Sequence, residues 1–403
     1  MSQLPIFDHS RILILETLGK GGDAIVKNAY DKSRKDFIAI KIFKSFPCYG
    51  KSRELICMEE DDLLQKIEQI RVQDSNYNQY FLKYYGIFKD PNDETIFMQM
   101  EIGCATLGNI LKQGKVYSCA ELLYVLRKIV EGFIILEENG ITHRDVKPEN
   151  IILAEDPMKK GSFLYKIADF GLSCQVPRYD SLIPVITLKG FTKAYVAPEV
   201  LNVAPEVLNI VRDGCLITDK YNPFLADVYS LGLVALNMID NNLRKKMDLK
   251  VGLLSQKEKF KEYEPILKLL KGMLKKDPEK RWNFKKILKY FEDNENCHNF
   301  YKIPNDERFC QKWYEKMKKK TPEGIEKLYQ EHKKMFKACN EEVHLERALK
   351  IVLKLAKMYF FIEEKSNDYE RKIFKRIICY LKLLGLNLKC FFILKLKSFI
   401  GNL

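Results

Sequence analysis

The sequence predicts an α+β protein of two lobes, a small strand-rich lobe followed by a larger helical one, with a basic helical extension behind them. Three observations carry this expectation. Strand-type segments, rich in β-branched and aromatic residues and separated by turn residues, fill the chain to about residue 101. Apolar residues at helical spacing then take over, most densely from Pro223 to Phe291. Finally, residues 294–403 hold 24 Lys and Arg against 14 Asp and Glu, which is most of the chain's net charge of +14.

Composition narrows the class. A length of 403 residues has room for two to three domains at about 150 residues each. With 46% hydrophobic and 30% charged residues, and only 20 Gly and 14 Pro, the chain reads as folded and water-soluble, not collagen-like or disordered. Eleven cysteines, an odd number without a C-x-x-C pair, argue against a disulfide framework and a zinc site, and fit reduced thiols in a cytoplasmic or nuclear setting. The opening MSQLPIFDHSR lacks the pattern of a secretory leader. Lysines interrupt every C-terminal apolar run well short of ~18 residues, so no transmembrane segment is expected.

Along the chain, residues 1–11 form a lead. A strand near Arg11 to Leu15 enters the glycine-rich turn Leu18-Gly19-Lys20-Gly21-Gly22-Asp23-Ala24-Ile25-Val26. The next strand, Phe37 to Phe43, places Ala39 and Lys41 on one face by its period of two. A lysine within an apolar strand is costly unless its ammonium meets an anion. Glu60 is a candidate, because it falls inside the apolar stripe Ile56, Leu63, Leu64, Ile67 and Ile70 of a helix expected over Ser52 to Ile70. Further strands surround Lys83 to Phe88 and Thr95 to Glu101. Ser118 and Glu121 form a capping box opening a helix with Leu122, Val125, Leu126, Ile129 and Phe133 inward, closed by Asn139-Gly140. Ile151 to Leu153 and Leu164 to Ile167 flank a polar turn and read as a hairpin.

The strongest signal is His143-Arg144-Asp145-Val146-Lys147-Pro148-Glu149-Asn150, followed by Lys166-Ile167-Ala168-Asp169-Phe170-Gly171. Together with Ala197-Pro198-Glu199, Asp227-Val228-Tyr229-Ser230-Leu231-Gly232 and Asp277-Pro278-Glu279-Lys280-Arg281, this order resembles the eukaryotic protein kinase family over residues 12–293. The resemblance implies the bilobal protein kinase fold, with an antiparallel-sheet N-lobe carrying one helix over about 12–101 and a helical C-lobe over about 104–293. Residues 294–403 would be an α-helical extension.

The resemblance also implies roles. Asp145 would orient the substrate hydroxyl and accept its proton, Lys147 would stabilise the γ-phosphoryl, and Lys41 paired with Glu60 would hold the phosphates of ATP. Asn150 and Asp169 would bind Mg2+. The nucleotide would lie among Leu18, Gly19, Lys20, Gly21, Gly22, Val26, Ala39, Met100, Glu101 and Gly103, with Met100 as gatekeeper. Lys147 marks the serine/threonine class, with protein Ser and Thr hydroxyls as substrates. Arg144 would meet a phosphate on the activation segment, with Thr187 the preferred acceptor and Thr192 staying near Asp145. Glu199 and Arg281 would form a structural ion pair. The competing reading is a pseudokinase acting as a nucleotide-binding scaffold.

Two departures stand out: Ala24 replaces the third glycine of the phosphate loop, and Phe191 stands where a glycine precedes the threonine. No specific nucleic-acid motif is present. After Glu370 the chain has no acids but eight Lys and Arg, interleaved with apolar residues such as Phe391 and Phe392. That chemistry suits an anionic membrane surface or an acidic protein partner for residues 371–403.

Overall fold

The computed structural model describes residues 4–21, 24–43, 53–91, 95–156, 159, 162–176, 183–184, 193–201, 220–240, 258–294, 303–304 and 306. Gly22, Phe191, Thr187, Thr192 and the basic stretch 371–403 lie outside them. The N-lobe is one antiparallel sheet of five strands: β1 (Ile12–Lys20), β2 (Ala24–Asp31), β3 (Asp36–Phe43), β4 (Tyr84–Lys89) and β5 (Ile96–Glu101), in the spatial order β1-β2-β3-β5-β4. Helix α1 (Arg53–Gln73) lies between β3 and β4 in sequence, running three residues past the Ile70 expected from the apolar stripe. Its last turn holds Arg71 over Glu68, a basic residue where the helix dipole favours one.

The alternation of β3 decides what faces the cleft. Ile38 and Ile40 join Phe7, Ile12, Ala29 and Phe97 in a cluster on one side of the sheet, while Phe43 joins the α1 side with Leu63, Leu64 and Ile67. Lys41 has the same parity as Phe43, so the pleat alone aims it toward α1. The N-terminal lead is part of this packing. Phe7 is buried with its ring stacked on Phe97 at 4.0 Å between centroids, and Ile6 bridges Lys89 on the edge strand β4. The lead thus covers an edge that would otherwise be open to pairing.

In the C-lobe, the short pair β6 (Ala105–Thr106) and α2 (Leu107–Lys112) precede the central helix α3 (Cys119–Glu138). Ser118 caps α3 through the reciprocal bonds expected from S-x-x-E. Its buried face, Leu122, Val125, Leu126, Ile129 and Phe133, packs against α5 (Pro223–Ile239), α6 (Glu264–Met273) and α7 (Phe284–Asn294). The Phe133 and Phe284 rings stack at 4.9 Å. Each such side chain, fully buried, contributes roughly 1.5–3 kcal/mol. The strand pair β7 (Ile141–Thr142) and β10 (Cys174–Gln175), and the hairpin β8 (Ile151–Glu155) and β9 (Phe163–Ile167), lie between α3 and the last helices in sequence. Three further short elements are α4 (Pro198–Leu201) and the paired strands β11 (Ile183–Pro184) and β12 (Lys220–Tyr221). None of the described helices is long and apolar enough to cross a membrane.

The β2–β3 turn is organised by one carboxylate. Asp31, wholly buried, accepts from Arg11 Nε at 2.9 Å, from the Ser33 hydroxyl at 2.8 Å and from Arg34 Nε at 3.1 Å. Burial alone would raise its pKa, but the Arg11 guanidinium and the Ser33 and Arg34 donors hold it well below the usual carboxylate range. Asp31→Asn should therefore destabilise the protein by about 2 kcal/mol at pH 7 in urea unfolding. The sign with pH follows from the lowered value. The difference between wild type and variant should be full above ~4, the carboxyl's pKa in the unfolded chain, and should shrink as pH falls below it.

Candidate active site

Three separate elements meet at Lys41. From β3, its Nζ donates to Glu60 Oε1 of α1 at 2.7 Å and to Asp169 Oδ1, two residues beyond β9, at 3.0 Å. Glu60 is buried and Lys41 partly so, with 13% of its side chain exposed, whereas the Asp169 side chain keeps 47% of its surface open. Burial disfavours the Lys41 ammonium, yet Asp169 and Glu60 together raise its pKa above the ordinary lysine value. Asp169 is lowered to about 2, chiefly by Lys41 and further by His143 and Lys147. Burial pushes Glu60 up, opposed by Lys41. At neutral pH the Lys41 ammonium thus faces an ionised Asp169.

Asp169 reaches this position through a turn. Its φ is +63°, in the left-handed region that residues with a side chain adopt rarely and mostly where surrounding structure enforces it. The enforcing contacts follow directly in the chain. Phe170 is buried against the rings of His143, 5.1 Å away, and Phe81, 6.4 Å away. After it comes Gly171, where a Cβ would come within 3.3 Å of both Glu60 Oε2 and Lys41 Nζ, so glycine lets the chain pass the ion cluster.

Beside the Asp169 turn, the side chains of Lys147 and Asn150 converge on Asp145. Lys147 Nζ donates to Asp145 Oδ2 at 2.5 Å, and Asn150 Nδ2 donates to the Asp145 carbonyl at 2.8 Å and to Oδ2 at 3.0 Å. His143 Nε2 meets the Ala168 carbonyl at 3.0 Å while its Nδ1 accepts from the Asp145 N–H at 3.3 Å, a pairing that the tautomer protonated on Nε2 satisfies. This joins the loop bearing Asp145 to the strand end bearing Asp169.

The glycine-rich turn is drawn back over β2. Gly19 pairs with Val26 and Lys20 with Ile25, and the Gly21 N–H donates to the Ala24 carbonyl at 2.9 Å. Leu18 is exposed. Val26 is opposite Lys41, and Ala39 opposite Met100. Ala24, the departure from the third glycine, opens β2 and buries its methyl in the same core cluster as Phe43. At Gly103 a Cβ would lie 2.0 Å from Ile152 Cγ2, because the inter-lobe segment runs directly over β8. The Cys104 N–H confirms that approach with a 2.9 Å bond to the Leu153 carbonyl.

Sequence reasoning missed two residues of this assembly. Lys166 is 2% exposed, and its Nζ contacts both carboxylate oxygens of Glu101, at 2.8 and 2.9 Å, tying β9 to the end of β5. The cost argument applied to Lys41 applies equally to a lysine between Tyr165 and Ile167, and would have flagged it. The second is Asp227, known from sequence only as a motif member. It is fully buried in α5 and accepts three 2.8 Å bonds, from the Thr142 hydroxyl and from the N–H groups of His143 and Arg144. Burial pushes its carboxyl up, against the pull of His143 and these donors. An acid in the apolar helix Pro223–Ile239 was the available signal.

Glu199 and Arg281 come together at the base of the C-lobe in a bidentate pair of 2.6 and 2.9 Å. The Arg281 side chain is fully buried, also donates to the Leu225 and Lys275 carbonyls, and lies over the Tyr229 ring at 4.9 Å. The sites of Mg2+ can be judged from donor chemistry. Asp169 offers an open carboxylate. Because Asn150 Nδ2 is committed to Asp145, its amide oxygen is the atom left for a metal, and both are the hard oxygen donors Mg2+ favours.

A two-lobed fold with a Lys–Glu–Asp ion cluster beside an Asp–Lys–Asn loop is the arrangement that the protein kinase resemblance implies. The chain belongs to the protein kinase domain family, which matches residues 12–291. Among similar proteins, "Mitogen-activated protein kinase 15" of Caenorhabditis elegans is 26% identical over 237 residues, covering 57% of this chain and 44% of the relative. "Serine/threonine-protein kinase pakH" of Dictyostelium discoideum is 30% identical, covering 56% and 37%, and "Serine/threonine-protein kinase cds1" of Schizosaccharomyces pombe is 30% identical, covering 58% and 45%. The chain thus spans under half the length of each of these three.

Truncating Asp227 would orphan three buried donors at once. Asp227→Ala should cost about 3 kcal/mol or more in urea unfolding. Asp227→Asn should cost less, since its amide oxygen still accepts.

Proposed function

We propose that this protein is a serine/threonine protein kinase, transferring the γ-phosphoryl group of ATP to protein Ser and Thr hydroxyls. The observation that carries the reading is the Lys41 ammonium bonded at once to Glu60 and to Asp169. It brings β3, α1 and the start of the activation segment into one arrangement. Lys147 and the names of the relatives favour the serine/threonine class.

In this reading, Lys41 binds the phosphates and Glu60 holds Lys41 in place. Asp145, oriented by Lys147 and Asn150, receives the substrate's hydroxyl proton as that oxygen bonds to the γ-phosphorus and the bond to the ADP oxygen breaks. Lys147, already beside Asp145, neutralises charge on the moving phosphoryl group. Mg2+, held by Asp169 and Asn150 when bound, would supply charge neutralisation at the phosphate oxygens. Little covalent chemistry is asked of the protein, so precision of placement is its main contribution. Arg144, whose Nε donates to the Leu172 carbonyl at 2.5 Å, stands at the start of the activation segment, where a phosphate on Thr187 would find it.

Asp145→Asn and Asp169→Ala should each lower the rate of phosphate transfer from Mg·ATP to a generic basic protein by about 10²-fold or more, corresponding to roughly 3 kcal/mol of transition-state stabilisation. Circular dichroism should show both variants folded. Near wild-type turnover in either would overturn the assignment.

The acid-free stretch 371–403 supports a second, independent proposal, contact with an anionic lipid surface. The full chain should cosediment with vesicles containing phosphatidylserine but not with neutral ones, and the binding should weaken as ionic strength rises past ~0.15 M. Equal sedimentation with both would refute it.

A further inference from the structure

Asp306 lies 12 residues beyond α7, in the part of the sequence read as the extension, yet it is only 2% exposed. Pro304 before it is also buried, while Ile303 is 67% exposed, so the chain dips into the C-lobe at this point. The Asp306 carboxylate sits on two tyrosines. Tyr165 of β9 donates its hydroxyl to Oδ2, Tyr117 donates to the same oxygen at 3.2 Å, and the two hydroxyls are 2.7 Å apart. Lys115 Nζ stands 3.7 Å from Oδ1 and 3.2 Å from Glu121 Oε1. Tyr117 is itself fixed, because its carbonyl accepts from the Tyr263 hydroxyl at 2.7 Å.

Two hydroxyl hydrogens and three oxygens make this triangle. With Asp306 present, both hydrogens have an acceptor. Without it, the tyrosines can satisfy only one hydrogen between themselves and the other is stranded at a site where both rings are buried. A buried carboxylate is also costly unless paired and hydrogen-bonded; here both hydroxyls donate to Oδ2, while Oδ1, buried without a hydrogen bond, has the Lys115 ammonium 3.7 Å away. The contact is therefore mutually dependent. Burial and the neighbouring acid push both tyrosine pKa values up, so the hydroxyls stay protonated donors across the physiological range.

The position of Tyr165 gives the contact its meaning. Tyr165 and Lys166 are adjacent in β9 and so project to opposite faces. Lys166 is held by Glu101 at the junction of the lobes, and Tyr165 is held by Asp306 from the far side. Two residues past the strand is Asp169. We propose that Asp306 is a positioning residue: the segment following the kinase lobe folds back to clamp β9 opposite the Glu101–Lys166 pair, and so sets the placement of the strand end that carries Asp169. The consequence at Asp169 rests on the phosphotransfer reading above, whereas the clamp does not.

The test uses the full chain and three variants, Asp306→Ala, Asp306→Asn and Tyr165→Phe. The last removes one hydroxyl and no carbon, and keeps the test decisive if Asp306→Ala folds poorly. Hydrogen exchange should quicken about tenfold or more at the amides of residues 163–169 in Asp306→Ala and Tyr165→Phe, and less in Asp306→Asn, whose amide oxygen still accepts. Amides of α3 and α5 should keep their wild-type rates. The Kd for Mg·ATP by calorimetry should rise several-fold in the same order. Unchanged exchange in 163–169, or a uniform quickening through the whole C-lobe, would overturn the clamp. Freed exchange with an unaltered Mg·ATP Kd would overturn its coupling to Asp169. A wild-type chain that binds no Mg·ATP would count against the phosphotransfer reading, while the exchange result would still judge the clamp.

Discussion

An ammonium group buried between two carboxylates is the constraint around which this protein is arranged. Taking the Lys41 charge out of water costs several kcal/mol, and that cost is offset only while Glu60 and Asp169 are both in place. Because the three groups come from a strand, a helix and a turn beyond another strand, the N-lobe sheet, α1 and the Asp169 turn cannot move independently without stranding a charge. The left-handed backbone at Asp169, the buried Phe170 and the glycine at 171 are all consequences of bringing the third member of the cluster to its station.

The same device recurs with different partners. Asp227 gathers the donors of the loop before Asp145, Glu101 takes the ammonium of Lys166, Glu199 takes the guanidinium of Arg281, and Asp31 gathers the β2–β3 turn. Each is a carboxylate placed where loose backbone or a long cation would otherwise be poorly held. Apolar packing gives the lobes their stability, but it is tolerant of small shifts. Hydrogen bonds to buried charge are directional and leave few alternative arrangements. A site whose chemistry consists of placing phosphate and hydroxyl correctly benefits from the second kind of restraint.

Tyr229 fits this scheme: its ring lies under the Arg281 guanidinium and adds an aromatic contact to the buried cation. Ala24 shows a different accommodation. Its methyl enters the core beside Phe43, so the residue that departs from the glycine pattern is used for packing at the start of β2.

What the sequence determined by itself was whatever depends on near neighbours. The period of two in β3 put Lys41 on one face with Ala39, the S-x-x-E spacing started α3 at Cys119, the apolar stripe of α1 carried Glu60 inward, and Asn139-Gly140 ended α3. These features rest on backbone geometry that repeats every two to four residues, so they can be read from spacing. The motif order also made the candidate site legible, from Lys41 to Asp169. What only the tertiary structure decided was the choice among distant partners. Lys166 and Glu101 are 65 residues apart, Asp227 and Thr142 are 85, and Tyr165 and Asp306 are 141. No local period links such pairs, and every buried polar group has many chemically suitable partners along the chain. Only folding, which brings a few of them within bonding distance and removes water from the rest, selects the one that is used.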